Sequence, residues 1–314
     1  MAYLLKTVRK LSAISGFLAA LYRWTFLWLQ QDQSFLNLNS IEYMATNNKT
    51  ILITGAGSGF GEGTAIGLAQ AGYKVIAGVQ ISPQVTTLRN KAIKLGIKEN
   101  LRVEKLDILD QYDVKVALTW DIDILFNNAG IGESGPVFEI PVDLLKSNFE
   151  TNVFAPLALT QKFVAKFIRG KKKGKIIFTS SMGGLAAPIG LAPYCTTKFA
   201  LEGIAEALQQ ELKPFGIQVQ TINPGGYFTG FNERVGETAF RWLDDEKNFT
   251  KRADLKAQLD LLIGNDSGRL NPDEMIDAMI KIVPSETGKF RNVVPKFIED
   301  FLREHQVKRW EDTI

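Results

Sequence analysis

Residues 50–63, TILITGAGSGFGEG, decide the fold of this chain. The first five residues are apolar or β-branched, as in a short buried strand, and Gly55, Gly59 and Gly61 follow directly. Glycine is needed where the backbone turns sharply and approaches a phosphate without a Cβ in the way. The helical pattern that follows would offer free N–H groups and a positive dipole end there. The stretch predicts a strand, a pyrophosphate-binding turn and a helix; a simple tight turn is the alternative.

Short apolar runs alternate with helical patterns along the rest of the chain. Six strands are predicted: TILIT, KVIAGV, LRVEKLDI, DIDILFNN, GKIIFTSS and IQVQTINPG. Helical stretches lie between the later ones, at residues 142–168 and 196–216. This alternation implies a parallel sheet with helices on both faces. We predict an α/β fold, a doubly wound Rossmann sheet that forms a single domain over residues 44–314.

Residues 1–43 differ in character from the rest. A basic start leads into LSAISGFLAALYRWTFLWL, residues 11–29, which is long enough for a membrane helix but contains Arg23. Such a charge costs roughly 2.5 to 3.5 kcal/mol at the bilayer centre. We expect a membrane-associated helix, a cleaved targeting peptide, or an extension upstream of a true start at Met44. The protein is expected in the cytoplasm, with membrane contact only if residues 1–43 are expressed.

The composition excludes several classes of function. Lys and Arg number 37 and Asp and Glu 34, a net charge of +3, so nucleic acid is not an expected partner. Cys195 is the only cysteine and His305 the only histidine, which excludes an internal disulfide and a Cys/His metal centre. No metal site is predicted. Acid–base chemistry must therefore come from carboxylates, lysines or tyrosines.

Tyr194 and Lys198 stand four residues apart in YCTTK, which places both on one face of a predicted helix. A free tyrosine has a pKa of about 10, and a neighbouring ammonium lowers that pKa toward neutrality. Ser181 ends the fifth strand and Asn128 the fourth, at the sheet edge where such folds bind ligands. The pair is predicted to move a proton without a histidine; a surface tyrosine and lysine are the alternative.

The end of the second strand carries no carboxylate. Dinucleotide-binding folds that prefer NAD place Asp or Glu there to hold the ribose 2′-hydroxyl. This chain has Val79, Gln80 and Ile81 instead, and no arginine. The missing acid removes repulsion against a 2′-phosphate, but no basic residue is present to bind it. We predict NAD(P) as cofactor, with a slight preference for NADP.

Several motifs occur in a fixed order on the predicted elements, and together they resemble the short-chain dehydrogenase/reductase family. The resemblance is close over residues 49–230 and looser to about 300. The motifs are TGxxxGxG at Thr54–Gly61, NNAG at Asn127–Gly130, a helical Asn152, Ser181, YxxxK at Tyr194 and Lys198, and PG at Pro224 and Gly225.

The resemblance implies an oxidoreductase that interconverts an alcohol and a ketone or aldehyde. It implies Tyr194 as general acid/base, Lys198 as the group that lowers the Tyr194 pKa, Ser181 as the substrate-oxygen ligand and Asn152 as the anchor of a relay water. A helix-packing role is the alternative for Asn152. The implied cofactor-binding residues are Gly55, Gly59, Phe60 and Gly61 at the pyrophosphate, Gln80 at the discriminating position, Asp107 and Ile108 at the adenine, Asn128 at the adjoining ribose, Tyr194 and Lys198 at the nicotinamide ribose, and Gly225 and Thr229 at the nicotinamide amide.

The substrate is expected to be apolar. Residues 182–193, MGGLAAPIGLAP, lie in the segment that, with the loop after Thr229, lines the substrate cavity of the family. Steroid-like, retinoid-like or fatty alcohols and ketones fit such a lining; simple packing on the core is the alternative. Residues 229–262 are expected to form a mobile lid. The stretch 107–127 is short for the family, which predicts a helix of two turns or fewer.

The family also implies a homodimer or homotetramer, formed through the helices that carry Asn152 and Tyr194. Small residues on one helix side would allow close approach: Ala200, Gly203 and Ala207. A competing function is a catalytically silent regulatory or scaffold protein that binds dinucleotide. Loss of Tyr194 or Lys198 would indicate it, and both are present. An epimerase or dehydratase of the extended relatives is disfavoured by the glycine spacing.

Overall fold

A parallel sheet lies at the centre of the computed structural model, which describes residues 49–264 and 269–313. Its seven strands run in the order β3-β2-β1-β4-β5-β6-β7. Their bounds are β1 Thr50–Thr54, β2 Lys74–Val79, β3 Leu101–Lys105, β4 Ile124–Asn127, β5 Lys175–Thr179, β6 Gln218–Pro224 and β7 Arg291–Val294.

Ten α-helices connect and cover these strands in the described part of the chain. Their bounds are α1 Gly59–Gln70, α2 Ser82–Lys94, α3 Gln111–Ala117, α4 Val142–Phe149, α5 Ala155–Arg169, α6 Ala192–Glu211, α7 Phe231–Thr238, α8 Arg252–Ile263, α9 Pro272–Ile282 and α10 Lys296–Arg309. A π-helical turn, Glu150–Phe154, joins α4 to α5. Such turns often mark functional positions in helices.

Successive residues of β1 belong to different cores, because side chains alternate across a strand. Ile51 and Ile53 belong to a core with residues of α1 and α9, among them Leu68 and Met279. Leu52 belongs to a second core with residues of α5 and α6, among them Phe163. The strands are therefore buried on both faces, which is why their sequences read as continuous apolar runs.

The strand order reverses at β1. The chain moves outward from β1 to β2 and β3, then returns to place β4 on the other side of β1. The crevice beyond the carboxyl ends of β1 and β4 is the position where open α/β sheets bind ligands. The predicted doubly wound Rossmann sheet is confirmed, and the switch point puts its binding crevice between these two strands.

The structure adds details that the sequence pattern did not contain. The seventh strand, Arg291–Val294, was not predicted; it pairs in parallel with β6. Helix α3 has seven residues, which is two turns or fewer, as predicted. The segment 229–262 folds into α7 and α8, joined by a 3₁₀ turn at Ala239–Arg241 and a loop.

The membrane prediction falls on residues outside the described part. The apolar stretch 11–29 and the rest of residues 1–43 lie there. Within residues 49–264 and 269–313, no helix combines the length and apolarity needed to span a bilayer.

Candidate active site

Three strand ends are tied together at the carboxyl edge by one asparagine. The Thr54 hydroxyl accepts hydrogen bonds from the main-chain N–H groups of Asn128 and Ala129, at 3.0 and 3.1 Å. The Asn128 amide donates to the Thr54 carbonyl at 3.1 Å and accepts from the Thr179 hydroxyl at 3.1 Å. β1, β4 and β5 thus end in one rigid corner. Thr54 lies in the predicted glycine motif, whereas Thr179 was not predicted; its place at a strand end was the available signal.

The glycine turn is built for close approach. Gly55 has a φ of +65°, and a Cβ there would lie 2.7 Å from the Ala129 Cα, which no side chain tolerates. A Cβ on Gly61 would lie 2.5 Å from the Asn128 amide nitrogen. Ser58, the N-cap of α1, makes no capping hydrogen bond with its side chain. The first-turn N–H groups of α1 therefore remain available to an anion.

Phe60 and Thr229 complete this turn in different ways. The Phe60 ring packs edge-on against Tyr227, with centroids 5.6 Å apart. Its side chain is therefore held by the protein, and any contact with a phosphate would come from its main-chain N–H. A Cβ on Gly59, whose φ is +57°, would lie 3.7 Å from the Thr229 Cβ. The predicted turn and the predicted nicotinamide-side residue therefore face one another.

Tyr194 and Ser181 meet beside Gly183. A Cβ placed on Gly183 would lie 3.4 Å from the Ser181 Oγ and 3.5 Å from the Tyr194 Cε1. The Ser181 Oγ accepts the Gly183 N–H at 3.0 Å. The Ser181 hydroxyl, as a hydrogen-bonding neighbour, lowers the Tyr194 pKa. The serine hydroxyl and the tyrosine side chain thus come together at the end of β5.

Lys198 lies one helical turn from Tyr194, as the spacing predicts. Its ammonium is buried, donates to the Thr179 carbonyl at 2.7 Å and lies 5.6 Å from the Tyr194 ring centroid. A Cβ on Gly130 would lie 3.8 Å from the Lys198 Nζ. The ammonium therefore sits between the ends of β4 and β5, under the tyrosine.

Burial sets the pKa values of this pair. Burial lowers the pKa of Lys198 to about 8, against an opposing effect of the Glu202 charge. Burial also raises the pKa of Tyr194, and the Ser181 hydrogen bond opposes that rise. Ser181 is the neighbour that lowers the Tyr194 pKa here, and the predicted lowering by Lys198 stays a prediction. Cys195, next along the helix, is buried and its thiol pKa is raised to about 12, so it is not nucleophilic at neutral pH.

Asn152 lies in the π-helical turn and is buried. Its amide accepts the Ile131 N–H at 2.9 Å and donates to the Ile131 carbonyl at 2.8 Å and to the Thr197 hydroxyl at 3.0 Å. The side chain holds the chain after β4 against α6, which agrees with the packing alternative. The water-anchoring role stays a prediction.

The remaining predicted residues lie along the same edge. The Gln80 amide donates to the Asp107 carboxylate at 3.4 Å, which places these two beside each other after β2 and β3. Ile108 is buried in the core under this corner. Gly225 donates its N–H to the Val294 carbonyl at 2.8 Å, so β7 supports the turn after β6.

The segment predicted to form a mobile lid packs against Tyr194 and the loop after β4, and its mobility stays a prediction. The Phe231 ring lies 5.5 Å from the Tyr194 ring, centroid to centroid. Val235 packs so closely on Gly132 that a Cβ there would lie 2.4 Å from it. Arg241 bonds to Glu133 at 2.9 Å, and Thr238 accepts the Ser134 N–H at 2.7 Å. Helix α7 is therefore anchored to the loop after β4.

Known proteins with similar sequences are oxidoreductases by name. A family model described as short chain dehydrogenase matches residues 49–239. YusZ, an uncharacterized oxidoreductase of Bacillus subtilis, is 37% identical over 58% of this chain and 66% of its own length. A 3-ketodihydrosphingosine reductase of Bacteroides thetaiotaomicron is 30% identical over 79% of this chain and 88% of its own. Retinol dehydrogenase 8 of Homo sapiens is 30% identical over 79% and 82%.

Solved structures share the fold. A short-chain dehydrogenase/reductase from Burkholderia phymatum, in complex with NAD, has a TM-score of 0.68 at 21% identity, covering 85% of this chain and 96% of that one. One from Burkholderia cenocepacia, in complex with NADP, has a TM-score of 0.64 at 20% identity, with coverage of 85% and 96%. The family match extends over more than half of this chain, which the predicted motifs also indicated. The chain is therefore an oxidoreductase of the short-chain dehydrogenase family.

Proposed function

We propose that this chain is an NAD(P)-dependent enzyme that interconverts an apolar secondary alcohol with its ketone, or a related aldehyde pair. One arrangement carries the proposal: the Ser181 Oγ and the Tyr194 ring both border Gly183, where a Cβ would lie 3.4 and 3.5 Å from them, and the buried Lys198 ammonium lies 5.6 Å from the tyrosine ring. Two hydroxyls and a cation at the mouth of a ligand crevice suit a carbonyl oxygen that gains or loses a proton.

The residues present fit a dinucleotide. The close approach at Gly55 and Gly61 and the uncapped start of α1 suit a pyrophosphate. Asn128 lies beside Gly61, Thr229 lies opposite Gly59, and the Lys198 ammonium lies near Gly130 on the same edge of the sheet. When bound, the nicotinamide ring would donate or accept the hydride. This chain would hold its phosphates at the glycine turn, its adenine near Asp107 and Ile108, and its amide near Gly225 and Thr229.

The protein's own residues transfer the proton in the reaction. In alcohol oxidation the carbon–hydrogen bond breaks and both its electrons leave with the hydrogen, so the alcohol is oxidised and the nicotinamide reduced. The hydroxyl proton passes to the oxygen of Tyr194 in its phenolate form, which becomes the phenol, and Ser181 holds the substrate oxygen by a hydrogen bond. Reduction reverses each step, with Tyr194 donating the proton. Lys198 would hold the nicotinamide ribose and, while charged, favour phenolate formation.

The choice of cofactor turns on the corner beyond β2. Gln80 contributes a neutral amide there, and its neighbour Asp107 receives a hydrogen bond from it. No carboxylate ends β2 itself, so a 2′-phosphate meets less repulsion than in a typical NAD site. We propose that both dinucleotides bind, with a slight preference for NADP.

An apolar substrate is supported by the residues around Tyr194. The Phe231 ring flanks the tyrosine, and the 182–193 segment that begins beside Ser181 is apolar. The similar proteins named 3-ketodihydrosphingosine reductase and retinol dehydrogenase 8 carry names of apolar substrates. We propose a lipid-like alcohol or ketone.

We further propose a homodimer or homotetramer in the cytoplasm. Exposed apolar side chains on the helices that carry Asn152 and Tyr194 support self-association: Phe154 is 53% and Phe199 44% exposed. A Cβ on Gly203 would meet no atom within 4 Å, so this side of α6 is open for close approach. Membrane contact is proposed only through residues 1–43, if they are expressed.

The test begins with fluorescence titration of NADH and NADPH into the purified protein, followed by a panel of apolar ketones and aldehydes. We expect both dinucleotides to bind and at least one apolar carbonyl to be reduced. Tight dinucleotide binding with no turnover across the panel would favour the silent scaffold protein instead.

A further inference from the structure

A second charged group lies in the interior behind the site. Glu202, one turn beyond Lys198 on α6, is 5% exposed, yet both its carboxylate oxygens are bonded. One accepts from the Asn223 amide at 2.6 Å, and the other from the Arg291 Nε at 3.0 Å and Nη2 at 2.9 Å. The carboxylate therefore links α6 to β6 and β7.

Asn223 carries this link to Ser181. It is fully buried in β6, and its amide nitrogen also donates to the Ser181 carbonyl at 3.1 Å. Its oxygen is fixed in turn by the Thr221 hydroxyl at 3.0 Å. The main chain that presents the Ser181 hydroxyl is therefore held by an amide whose own position depends on Glu202.

The packing of α6 against the turn after Ser181 brings Ser181, Lys198 and Glu202 close together. A Cβ on Gly184 would lie 3.0 Å from the Lys198 carbonyl and 3.1 Å from the Glu202 Cγ. This glycine lets the 3₁₀ turn that follows Ser181 rest directly on the Lys198–Glu202 turn of the helix. A displacement of Glu202 would therefore shift the positions of both Ser181 and Lys198.

Glu202 is also connected to the site through its charge, which acts on Lys198. Lys198 is 4% exposed, and the charge of Glu202 opposes the fall in its pKa that burial causes. The other groups described around it are the Tyr194 phenol on the same helix, the neutral Thr179 carbonyl from β5, and Arg291 from β7, which lies behind Glu202. The ion pair of Glu202 is with Arg291, so its charge acts on the buried ammonium from one helical turn away.

We propose that Glu202 is a positioning residue for the reaction: through Asn223 it fixes the main chain at Ser181, and from one turn along α6 its negative charge acts on the Lys198 ammonium. The proposal rests on the function proposed above. A purely structural ion pair between α6 and β7 is the competing explanation.

The pH profile of kcat/KM for carbonyl reduction distinguishes the two. The Glu202→Gln variant keeps the shape of the side chain but removes its charge. Lys198 then loses its proton at lower pH, so the alkaline limb of the profile should move down by about one pH unit. At a pH on that limb, kcat/KM should fall by about tenfold.

Arg291→Met is the matched control, because it breaks the same ion pair from the other side. It leaves the Glu202 charge uncompensated, so the alkaline limb should stay in place or move to higher pH. A structural role would lower the melting temperature of both variants and leave both limbs at the wild-type position. That result would overturn the proposal. If Glu202→Gln does not fold, Glu202→Asp replaces it, with a limb expected between those of wild type and a fully uncharged variant.

A binding measurement separates this proposal from the proposed function. The dissociation constants of NADH and NADPH are followed by fluorescence against pH in the same variants. Because Lys198 is proposed to hold the nicotinamide ribose, weakening should begin at lower pH in Glu202→Gln than in wild type. If the wild-type protein binds dinucleotide but turns nothing over, the proposed function fails while this profile still tests Glu202. Superimposable binding profiles for wild type and Glu202→Gln would contradict the proposed effect of the Glu202 charge on Lys198.

Discussion

Two buried lysines, one at each end of the central part of the sheet, show what distinguishes a site from a packing contact. Lys175 begins β5 and Lys198 contacts the carbonyl of Thr179, which ends it. Both are 4% exposed, and burial lowers the pKa of both, to about 7 for Lys175 and about 8 for Lys198. Burial and a shifted pKa therefore do not by themselves identify a catalytic lysine.

The difference lies in what the two ammonium groups face. Lys175 donates to two carbonyls, of Ile282 and Ser285, at 2.8 and 2.7 Å, and the charge that affects it is that of Lys49. Lys198 donates to one carbonyl and lies beside the Tyr194 ring, and the charge that affects it is that of Glu202. Lys175 donates two of its three N–H groups to carbonyls at the end of α9 and just beyond it. Lys198 keeps N–H donors for a ligand at the crevice.

The largest expected effect contrasts the two lysines directly. Lys198→Met should lower turnover by about a hundredfold or more, since it removes the ammonium beside the Tyr194 ring. Lys175→Met should leave turnover within about threefold, because it lies at the opposite edge of the sheet. Steady-state kinetics with melting curves on both variants measure this. Equal losses of turnover in the two folded variants would contradict the distinction between Lys198 and Lys175.

The same contrast applies to two glycines with positive φ. Gly55 at the carboxyl edge and Gly96 at the amino edge have φ of +65° and +71°, but only Gly55 is crowded. Gly96→Ala should cost about 1 kcal/mol of unfolding free energy from backbone strain alone. Gly55→Ala should cost about 2 to 3 kcal/mol and weaken dinucleotide binding, because its Cβ would meet Ala129.

Denaturant titrations give both unfolding free energies, and fluorescence gives the dinucleotide affinities. Equal costs for the two glycine variants, with unchanged binding in Gly55→Ala, would remove the argument that this turn is built for close approach.

The smallest expected effect is on the pH dependence of stability. The folded pKa values of Lys175 and Lys198 lie below the unfolded value of 10.5, so the unfolded chain binds more protons between pH 7 and 10. The free energy of unfolding should therefore rise with pH across that window. Tyr194 and Tyr227 act in the opposite sense above pH 10, since burial raises their pKa values.

Lys175→Met should remove a large part of this rise while leaving the activity profile in place. Denaturant melts at a series of pH values measure it. A wild-type stability that falls steadily from pH 7 to 10 would contradict the depressed lysine pKa values.

The sequence allowed the sheet and the place of the site to be predicted, because both depend on local patterns. Apolar runs mark β1 to β6, and the motif residues lie at strand ends that a parallel sheet must bring together. β7 was not predicted because RNVV is only four residues long and partly buried. Its pairing with β6 is a long-range, main-chain contact. Nothing in the sequence of Arg291–Val294 alone indicates such a partner.

The chemistry of the site was less predictable than its location. Four-residue spacing placed Lys198 beside Tyr194, but spacing contains no information about burial, which governs both pKa values. The partners of Asn152 are likewise set by tertiary packing, since Ile131 and Thr197 come from a loop and another helix. Glu202 is one turn beyond Lys198, yet its role depends on β6 and β7.

The most direct test of the account is turnover by Tyr194→Phe, measured with its dinucleotide affinity. Removing one hydroxyl oxygen should lower kcat by about a hundredfold or more, because the proton then has no group to pass through, while NADH and NADPH bind within about twofold of wild type. A folded Tyr194→Phe enzyme that retains kcat within a few-fold would contradict the assignment of the phenol as the acid–base group.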